Sequence, residues 1–221
     1  MKRESIQRCR IGNKYILKNK EILIFVHYYC MRYRLKKHYK KSMNIIRIEN
    51  TENHYFNRVW EIYQYSFPVY EQRTPEHQEV AFKSNLYHMD AYVDNGEVIG
   101  FIGYWIFPDY AYIEHYAMAK ESRGQRYGTK ILKDFLTRQQ GKIVVLEIDP
   151  VVDEISTRRL HFYQNLGFQE SPFRYTCPKY QPDEKEGELW VMTYPVTVDC
   201  DFYEKFYNDL HQVVLAWEVA E

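Results

Sequence analysis

Glycine, proline and cysteine are all scarce in this chain, with 9 Gly, 8 Pro and 4 Cys among 221 residues. The low Gly and Pro content excludes collagen-like and low-complexity architectures, and no repeat of about 20–50 residues recurs. The cysteines are widely spaced and form no Cys-x-x-Cys pair: Cys9, Cys30, Cys177 and Cys200. We therefore expect reduced thiols and no metal site, rather than a disulfide framework or a zinc cluster.

Long apolar runs are also missing. The longest, residues 22–31, falls well short of the ~20 residues that a membrane-spanning helix needs. A secretory signal is disfavoured as well, because the basic region at the start is too long and no small-residue cleavage site follows it. The hydrophobic content of 45% is enough for a packed core. The sequence thus predicts a soluble, cytoplasmic protein with no membrane partner.

Net charge is absent overall, since 30 basic residues balance 30 acidic ones, but the balance is uneven along the chain. Residues 1–42 contain 13 Lys/Arg and 2 Asp/Glu, whereas the remainder contains 17 Lys/Arg and 28 Asp/Glu. The basic segment is either an arm for nucleic acid or another anionic surface, or sequence upstream of a mis-assigned start, with Met43 opening the domain. The second interpretation is favoured, with the segment expected to be disordered, so a nucleic-acid partner is disfavoured.

Hydrophobic periodicity divides the rest of the chain into strands and helices. The patterns predict strands at residues 45–48, 91–93, 98–107, 112–119, 143–148, 168–176 and 189–194. They predict helices at residues 51–65, 74–86, 123–139, 153–166 and 202–217. This order predicts an α/β (α+β) protein with a mixed sheet and helices on both faces. We expect one domain over residues 43–195 and, over residues 196–221, an amphipathic helix that packs on it or forms the seam of a homodimer.

The most informative stretch joins the predicted strand 112–119 to the helix after it. The connecting loop contains Gly124 and Gly128, so several backbone N–H groups can point to one place at the start of a helix, which favours an anion. The loop lacks the Gly-Lys-Ser/Thr of a P-loop and the Gly-x-Gly-x-x-Gly of a dinucleotide fold. A pyrophosphate cradle and a merely tight turn are both compatible with the glycine pair.

The same stretch resembles the acyl-CoA-binding motif of the GCN5-related N-acetyltransferase (GNAT) superfamily, Arg/Gln-x-x-Gly-x-Gly/Ala. Arg123, Gly128 and Thr129 match that pattern, whereas Arg126 stands at its middle glycine. Two further segments resemble the family in the same order: LEID at residues 146–149 and FYQNLGF at residues 162–168. The resemblance covers residues 44–195 and implies a twisted, mixed and mostly antiparallel sheet.

The resemblance also implies acetyl-CoA as cosubstrate and assigns residues to its binding. These are Tyr116, Ala117, Met118, Arg123, Gly124, Gln125, Arg126, Tyr127, Gly128, Thr129, Ser156 and Tyr163. By the same resemblance, residues 116–118 pair through their backbone with the pantetheine arm, where their strand and Ile143–Ile148 splay apart. Tyr163 then donates a proton to the departing thiolate, although it could instead be a core aromatic.

An amine acceptor needs a base, because an alkylammonium with a pKa of about 10.4 is almost wholly protonated at neutral pH. The resemblance points to Glu114 and Glu147, on two neighbouring strands, as carboxylates that act directly or through water. Either side chain could instead face solvent or pair with an arginine. His115 is expected on the face of its strand opposite to Glu114, in a structural role.

Two positions depart from the family pattern. An arginine at position 126 fits the loop if its φ is negative, and strains the loop if its φ is positive. We expect the negative φ. Ser156 precedes Tyr163 at a position where many relatives have an asparagine that contacts the cofactor, so its contact is implied by position alone.

These features together predict direct transfer of an acetyl group from acetyl-CoA to an amine of a small molecule or a peptide, in a ternary complex. No cysteine lies in a motif position that would carry an acyl-enzyme. The connector 67–73 and the acidic loop 178–188 are expected near the acceptor, which would suit a cationic amine. Two alternatives stay open: a catalytically silent acyl-CoA-binding sensor, and an aminoacyl or peptidyl transferase of similar fold.

Overall fold

The break in charge after residue 42 coincides with a division of the chain into two units, residues 1–42 and 43–221. The computed structural model describes residues 8–11, 14–17, 43–176 and 187–216. In the first unit, strands β1 (Arg8–Ile11) and β2 (Lys14–Leu17) pair antiparallel. The apolar stretch 22–31 lies outside the described residues, as does most of the acidic loop 178–188.

Seven strands of the second unit form one sheet, in the order β3-β4-β5-β6-β7-β9-β8. They are β3 (Asn44–Ile48), β4 (Tyr87–Asp94), β5 (Glu97–Ile106), β6 (Tyr110–Met118), β7 (Ile143–Ile148), β8 (Gln169–Thr176) and β9 (Glu188–Tyr194). All neighbouring pairs are antiparallel except β6 and β7, which run parallel. Asn95 and Gly96 turn the β4–β5 hairpin with φ of 54° and 85°, as their sequence favours. The predicted mixed, mostly antiparallel sheet is confirmed.

Helices cover both faces of this sheet, which confirms the predicted layering. They are α1 (Phe56–Ser66), α2 (Pro75–Phe82), α3 (Tyr127–Arg138), α4 (Glu154–Gln164) and α5 (Cys200–Asp209). The buried apolar side chains of α1, α2 and α5 belong to one apolar cluster, and those of α3 and α4 belong to a second cluster on the other face. No helix among the described residues is long and apolar enough to cross a bilayer.

The start of α1 differs from its prediction. The helix begins at Phe56 rather than at Thr51, because two asparagines hold the intervening backbone in turns. The side-chain oxygens of Asn50 and Asn53 each accept a hydrogen bond from the amide two residues further on, at 3.1 and 3.0 Å. Such turns offer the backbone a non-helical partner, and an amphipathic pattern does not reveal them.

The segment after β9 packs on the sheet through its apolar stripe. Phe206 of α5 is buried in the first cluster, and so are Leu210 and Val214 in the π-helical turn Leu210–Val214 that follows. The predicted stripe therefore contributes to the core. Trp217, the last residue of the predicted stripe, lies outside the described residues.

A buried carboxylate ties the sheet to α3. Asp90 of β4 is 1% exposed, and its oxygens accept hydrogen bonds from Arg47 at 2.7 Å and from Arg138 and Tyr104 at 3.0 Å. Two cations and a hydroxyl thus compensate the cost of removing this carboxylate from water.

Asp90→Asn is expected to lower the free energy of unfolding by about 3 kcal/mol, because it leaves two arginines without their common carboxylate. Urea denaturation of the full chain measures the change. Asp134→Asn is the matched control, since Asp134 forms only a half-exposed pair with Arg138 one turn along α3. That variant should cost less than about 0.5 kcal/mol. Equal losses in the two variants would contradict the structural role of Asp90.

Candidate active site

Strands β6 and β7 separate at one end, and this opening positions the site. Their parallel register stops where Ile113 lies opposite Leu146, although β6 continues to Met118 and β7 to Ile148. Beyond Ile113, the edge of β6 that faces β7 is no longer paired with that strand, so its backbone N–H and C=O groups can pair with an extended ligand. The register confirms the predicted splay.

A β-bulge at Glu114 marks the start of this opening. On the β5 side, Gly103 pairs with His115 and Tyr104 pairs with Ile113, so Glu114 is the extra residue. An extra residue breaks the alternation of side chains, and Glu114 and His115 therefore turn to the same face. His115 Nδ1 lies 3.9 Å from Glu114 Oε2. The expectation that His115 points to the opposite face is wrong for this reason.

Two adjoining cavities open at the separation of β6 and β7. The loop cavity, of about 440 Å³, lies over the loop before α3, and the strand cavity, of about 430 Å³, lies between β6, β7 and the connector 67–73. Both cavities are lined by Tyr116, Ala117, Met118, Arg123, Arg159 and Tyr163. A ligand that runs along β6 can therefore extend from one cavity into the other.

The loop cavity has the form of an anion cradle. Its remaining lining comes from Ser122, Gly124, Arg126, Tyr127, Gly128, Thr129 and Phe162. Gly124 has a φ of 74°, and a Cβ placed on it would meet no atom within 4 Å. Arg126, the residue before α3, provides no side-chain cap. The first amides of α3 are therefore available to an anion, which the helix dipole also favours.

Arg126 adopts the left-handed backbone conformation, with φ of 62° and ψ of 11°. The expectation of a negative φ is therefore wrong. The positive φ has a physical reason, because left-handed residues in the loop fold successive amides toward one side and create an anion-binding concavity. The same conformation strains any residue that has a Cβ.

Replacing Arg126 with Gly or with Ala separates that strain from the loss of charge. Both variants remove the guanidinium, but only glycine adopts the left-handed conformation without strain. We expect the free energy of unfolding of Arg126→Gly to exceed that of Arg126→Ala by about 1 kcal/mol. Urea denaturation of both full-length variants measures the difference, and equal stabilities would show that the position is not strained.

Two residues predicted to bind acetyl-CoA do not line either cavity in the described part of the chain. Gln125 is exposed, and its side-chain amide donates to the backbone carbonyl of Glu121 at 2.8 Å. Ser156 forms a capping box with Asp153 at the start of α4, accepting from the Asp153 amide at 3.0 Å and donating its own amide to Asp153 Oδ1 at 2.7 Å. The structure thus gives the Ser156 hydroxyl a helix-capping role.

Glu114 is buried in an ion pair. Its side chain is 1% exposed and lies 2.5 Å from the guanidinium of Arg73, which is 0% exposed. The indole of Trp105 donates to Glu114 Oε2 at 2.7 Å. Burial acts to raise the pKa of Glu114, but the charge of Arg73 and these hydrogen bonds hold the pKa below its usual range. A carboxylate so stabilised is a weak proton acceptor, and its geometry is that of a structural pair.

Glu147 has a different environment. It lines the strand cavity, and its carboxylate accepts hydrogen bonds from the hydroxyls of Tyr112, at 2.8 Å, and Tyr175. Burial raises the pKa of Glu147 to about 7, although the two hydroxyls act to lower it. The repulsion from Glu114 adds to the increase. A carboxylate with this pKa can accept a proton near neutral pH.

His115 is buried and packs edge-on against Tyr63 and Phe67, with ring centroids 4.8 Å away in both cases. Its Nε2 lies 3.1 Å from the backbone carbonyl of Glu71. Burial lowers the pKa of His115 to about 4, so the ring is neutral at physiological pH. These contacts suit the structural role expected for His115 and join β6 to the connector 67–73.

Tyr163 stands where the two cavities meet. It projects from α4 with 9% of its surface exposed, and its ring packs edge-on against Phe162 and Phe168. Burial raises the pKa of Tyr163 to about 12, against the opposing charge of Arg159. The hydroxyl therefore keeps its proton at neutral pH and can donate it.

No individual role was predicted for three charged residues at the site, although two of them belong to the connector 67–73 that was expected there. Arg73 neutralises Glu114, Glu71 lines the strand cavity, and Arg159 lines both cavities and pairs with Asp149. For Arg159 a signal existed, because a residue four positions before Tyr163 shares its helix face. The sequence placed the segment of Arg73 and Glu71 near the acceptor, but the pairing of Arg73 with Glu114 arises through tertiary packing, which the local pattern does not show.

The connector 67–73 lines the strand cavity through Phe67, Pro68 and Glu71, as expected of an acceptor-binding segment. Most of the acidic loop 178–188 lies outside the described residues. Its described end comes close to the connector, since a Cβ on Gly187 would lie 3.8 Å from Tyr70. Among the residues that are described, no group of three His, Cys, Asp or Glu side chains could hold a metal ion.

Comparisons with known proteins agree with this architecture. The model of the acetyltransferase (GNAT) family matches residues 53–168. A solved structure from Bacteroides thetaiotaomicron, assigned to the GNAT acetyltransferases, is 28% identical with a TM-score of 0.70, covering 77% of this chain and 97% of its own. The ribosomal-protein-S18-alanine N-acetyltransferase of Escherichia coli is 17% identical with a TM-score of 0.52, over 72% and 96% of the two chains.

A third solved structure, Arabidopsis thaliana NAA60 in complex with acetyl-CoA, is 15% identical with a TM-score of 0.53, over 69% of this chain and 98% of its own. At these identities the second and third likenesses concern the fold alone. None of the curated proteins compared with the chain matches its sequence.

Proposed function

This chain belongs to the GNAT acetyltransferase family, and from that premise we propose that it transfers an acetyl group from acetyl-CoA directly to an amine of a small molecule or a peptide. One observation supports this proposal most directly: Tyr163 lines both the loop cavity, which can hold an anion, and the strand cavity, which contains carboxylates. A thioester at that junction has a proton donor on one side and a proton acceptor on the other.

The residues of the loop cavity fit acetyl-CoA. The uncapped amides of α3, with Gly124 and Arg126 before them, would hold the pyrophosphate. The open edge of β6 at residues 116–118 would pair with the amides of the pantetheine arm. Bound acetyl-CoA supplies an activated acyl group as a thioester.

The residues of the strand cavity would then move the protons. Glu147 accepts a proton from the acceptor ammonium, directly or through a water, which frees the nitrogen lone pair for attack. As the C–N bond forms and the C–S bond breaks, Tyr163 donates its proton to the departing sulfur and recovers one from the nitrogen. The ammonium thus loses two protons, one to the thiol and one to solvent through Glu147.

Direct transfer is supported by the position of the cysteines. Within the described part of the chain no cysteine lines either cavity, and Cys200 is exposed on α5. An acyl-enzyme on a thiol therefore has no support from the geometry. Transfer in a ternary complex needs only that both substrates occupy the two adjoining cavities together.

Calorimetric titration of the full chain with acetyl-CoA tests the proposal, followed by thiol release with a panel of amines. We expect binding in the micromolar range and amine-dependent release. Binding without release for any amine would favour the acyl-CoA sensor instead. Absence of binding up to millimolar acetyl-CoA would refute the acetyltransferase assignment.

A further inference from the structure

The strand cavity has a lining of two kinds. Six of its residues also line the loop cavity. The lining that is not shared includes Glu71, Tyr112, Glu147 and Tyr175, together with leucine side chains from β9 and the C-terminal segment. This unshared lining, called the acceptor end here, combines acidic groups, hydroxyls and an apolar surface contributed by Leu189, Leu210 and Leu215.

Two of the carboxylates that line the cavity already have a cation. Glu114 pairs with Arg73, and Asp149 pairs with Arg159. His115 supplies no charge, because burial keeps it neutral. The protein thus balances these two carboxylates with its own arginines.

Glu71 and Glu147 do not form an ion pair with an arginine among the described residues. Among the described residues Glu147 accepts hydrogen bonds only from neutral tyrosine hydroxyls. The Glu71 carboxylate has a hydrogen bond from the neutral hydroxyl of Tyr70, but its Oε1 is buried and has no hydrogen-bond partner within the described residues. The two carboxylates repel each other, and repulsion from Asp149 acts on Glu71 as well, offset in part by Arg159. Buried carboxylates without a counter-charge are costly, so a ligand that brings positive charge to each is favoured.

On the basis of the proposed function, we infer that the acceptor is a small amine with a second cationic centre, and that Glu71 binds this second centre while the reacting amine lies at Glu147. The leucines provide contact for a hydrocarbon spacer between the two. An acceptor that also carries a carboxylate is repelled by Glu71 and Glu147. Glu71 is thus a specificity-determining residue of the same site.

Thiol release with three matched amines tests the inference: diaminobutane, butylamine and ornithine, with diamines of three to six methylenes as a length series. We expect kcat/KM for the best diamine to exceed that of its monoamine by about 10- to 100-fold, because a charged hydrogen bond is gained. Ornithine, which adds a carboxylate to the diaminobutane skeleton, should be a poorer acceptor than diaminobutane.

Glu71→Gln should raise KM for the diamine, leave its kcat nearly unchanged and abolish the preference over the monoamine. Retained turnover of butylamine shows that the variant is folded. Glu97→Gln is the matched control, since it removes one carboxylate at the exposed β4–β5 hairpin. Equal use of diamine and monoamine, or a preference that survives in Glu71→Gln, would overturn the inference but leave the transferase intact.

If acetyl-CoA binds but no amine releases thiol, the proposed function itself fails. Calorimetry of diaminobutane and butylamine with the CoA complex then decides the inference by itself. Tighter binding of the diamine that Glu71→Gln abolishes supports the cationic subsite, and equal binding of the two amines refutes it.

Discussion

Glu147→Gln is expected to lower kcat/KM by about 10²- to 10⁴-fold, the usual contribution of a general base. The amide keeps the shape of the side chain and can still accept from the hydroxyls of Tyr112 and Tyr175, but it cannot take the proton of the ammonium. Binding of acetyl-CoA should be unchanged, because Glu147 lines the strand cavity and not the cradle. Thiol-release kinetics and calorimetry on the same preparation measure both quantities.

The pH dependence of the reaction rate is a second test of Glu147 as the base. A base acts when deprotonated, and burial raises the pKa of Glu147 to about 7. We therefore expect the wild-type rate to fall by about tenfold per unit as pH decreases below about 7, and to level above it. Burial also raises the pKa of Glu71 to about 7. The decrease of the rate below a pH of about 7, called the acidic limb here, therefore reflects the coupled titration of Glu147 and Glu71.

Comparison of the wild type with Glu147→Gln removes the contribution of the acceptor's own titration. In Glu147→Gln the rate should depend much less on pH below about 7 than in the wild type. In Glu97→Gln the pH dependence should be that of the wild type. A wild-type limb that persists in Glu147→Gln with nearly full activity would show that another group is the base. Glu71, whose pKa burial also raises to about 7, would then be the candidate, since the pair with Arg73 argues against Glu114.

Two carboxylates on neighbouring strands were both candidates for the base in the sequence, with Glu114 the first choice, and their environments differ in the structure. Arg73 holds the pKa of Glu114 low, whereas Glu147 is surrounded by neutral hydroxyls and has a raised pKa. Arg73 lies 41 residues from Glu114 along the chain. No local pattern connects these two residues, so the sequence could not assign their pairing or distinguish the two carboxylates.

The sequence predicts the fold more fully than the site, because the hydrophobic periodicity of a helix or strand is a local property of the chain. The apolar run at Ile143–Ile148, the Thr74-Pro75 start of α2 and the Asn95-Gly96 turn each carry their own signal, and the structure has all three. The position of the loop cavity also follows from a local motif, because the sequence placed a loop with glycines between a strand edge and a helix, and the structure has a cavity there. Binding of an anion in that cavity stays a prediction.

The errors arise where one residue changes the geometry of its neighbours. The bulge at Glu114 reverses the face of His115, and alternation alone predicts the opposite. The left-handed backbone at Arg126 is selected by the loop as a whole, against the preference of an arginine. Ser156 could have been recognised, since an Asp three residues before it at a helix start is a capping signal.

Tyr163→Phe should lower kcat by about 10²-fold or more, because no other donor replaces the hydroxyl at the departing sulfur. Burial keeps the pKa of Tyr163 at about 12, so the wild-type hydroxyl remains protonated over the working range. The loss should therefore be nearly independent of pH between 6 and 9, unlike the loss in Glu147→Gln. Affinity for acetyl-CoA should change little, since phenylalanine keeps the contacts with Phe162 and Phe168.

Tyr92→Phe is the matched control for this substitution. Tyr92 is also buried, its hydroxyl accepts from Arg138 at 2.6 Å, and it lines neither cavity. It should lose stability without a comparable loss of kcat, which separates removal of a buried hydroxyl from removal of a proton donor. A Tyr163→Phe enzyme with wild-type kcat would make Tyr163 a core aromatic and leave water at the junction as the proton donor. Equal losses of kcat in the two variants would point to a general effect of lost packing.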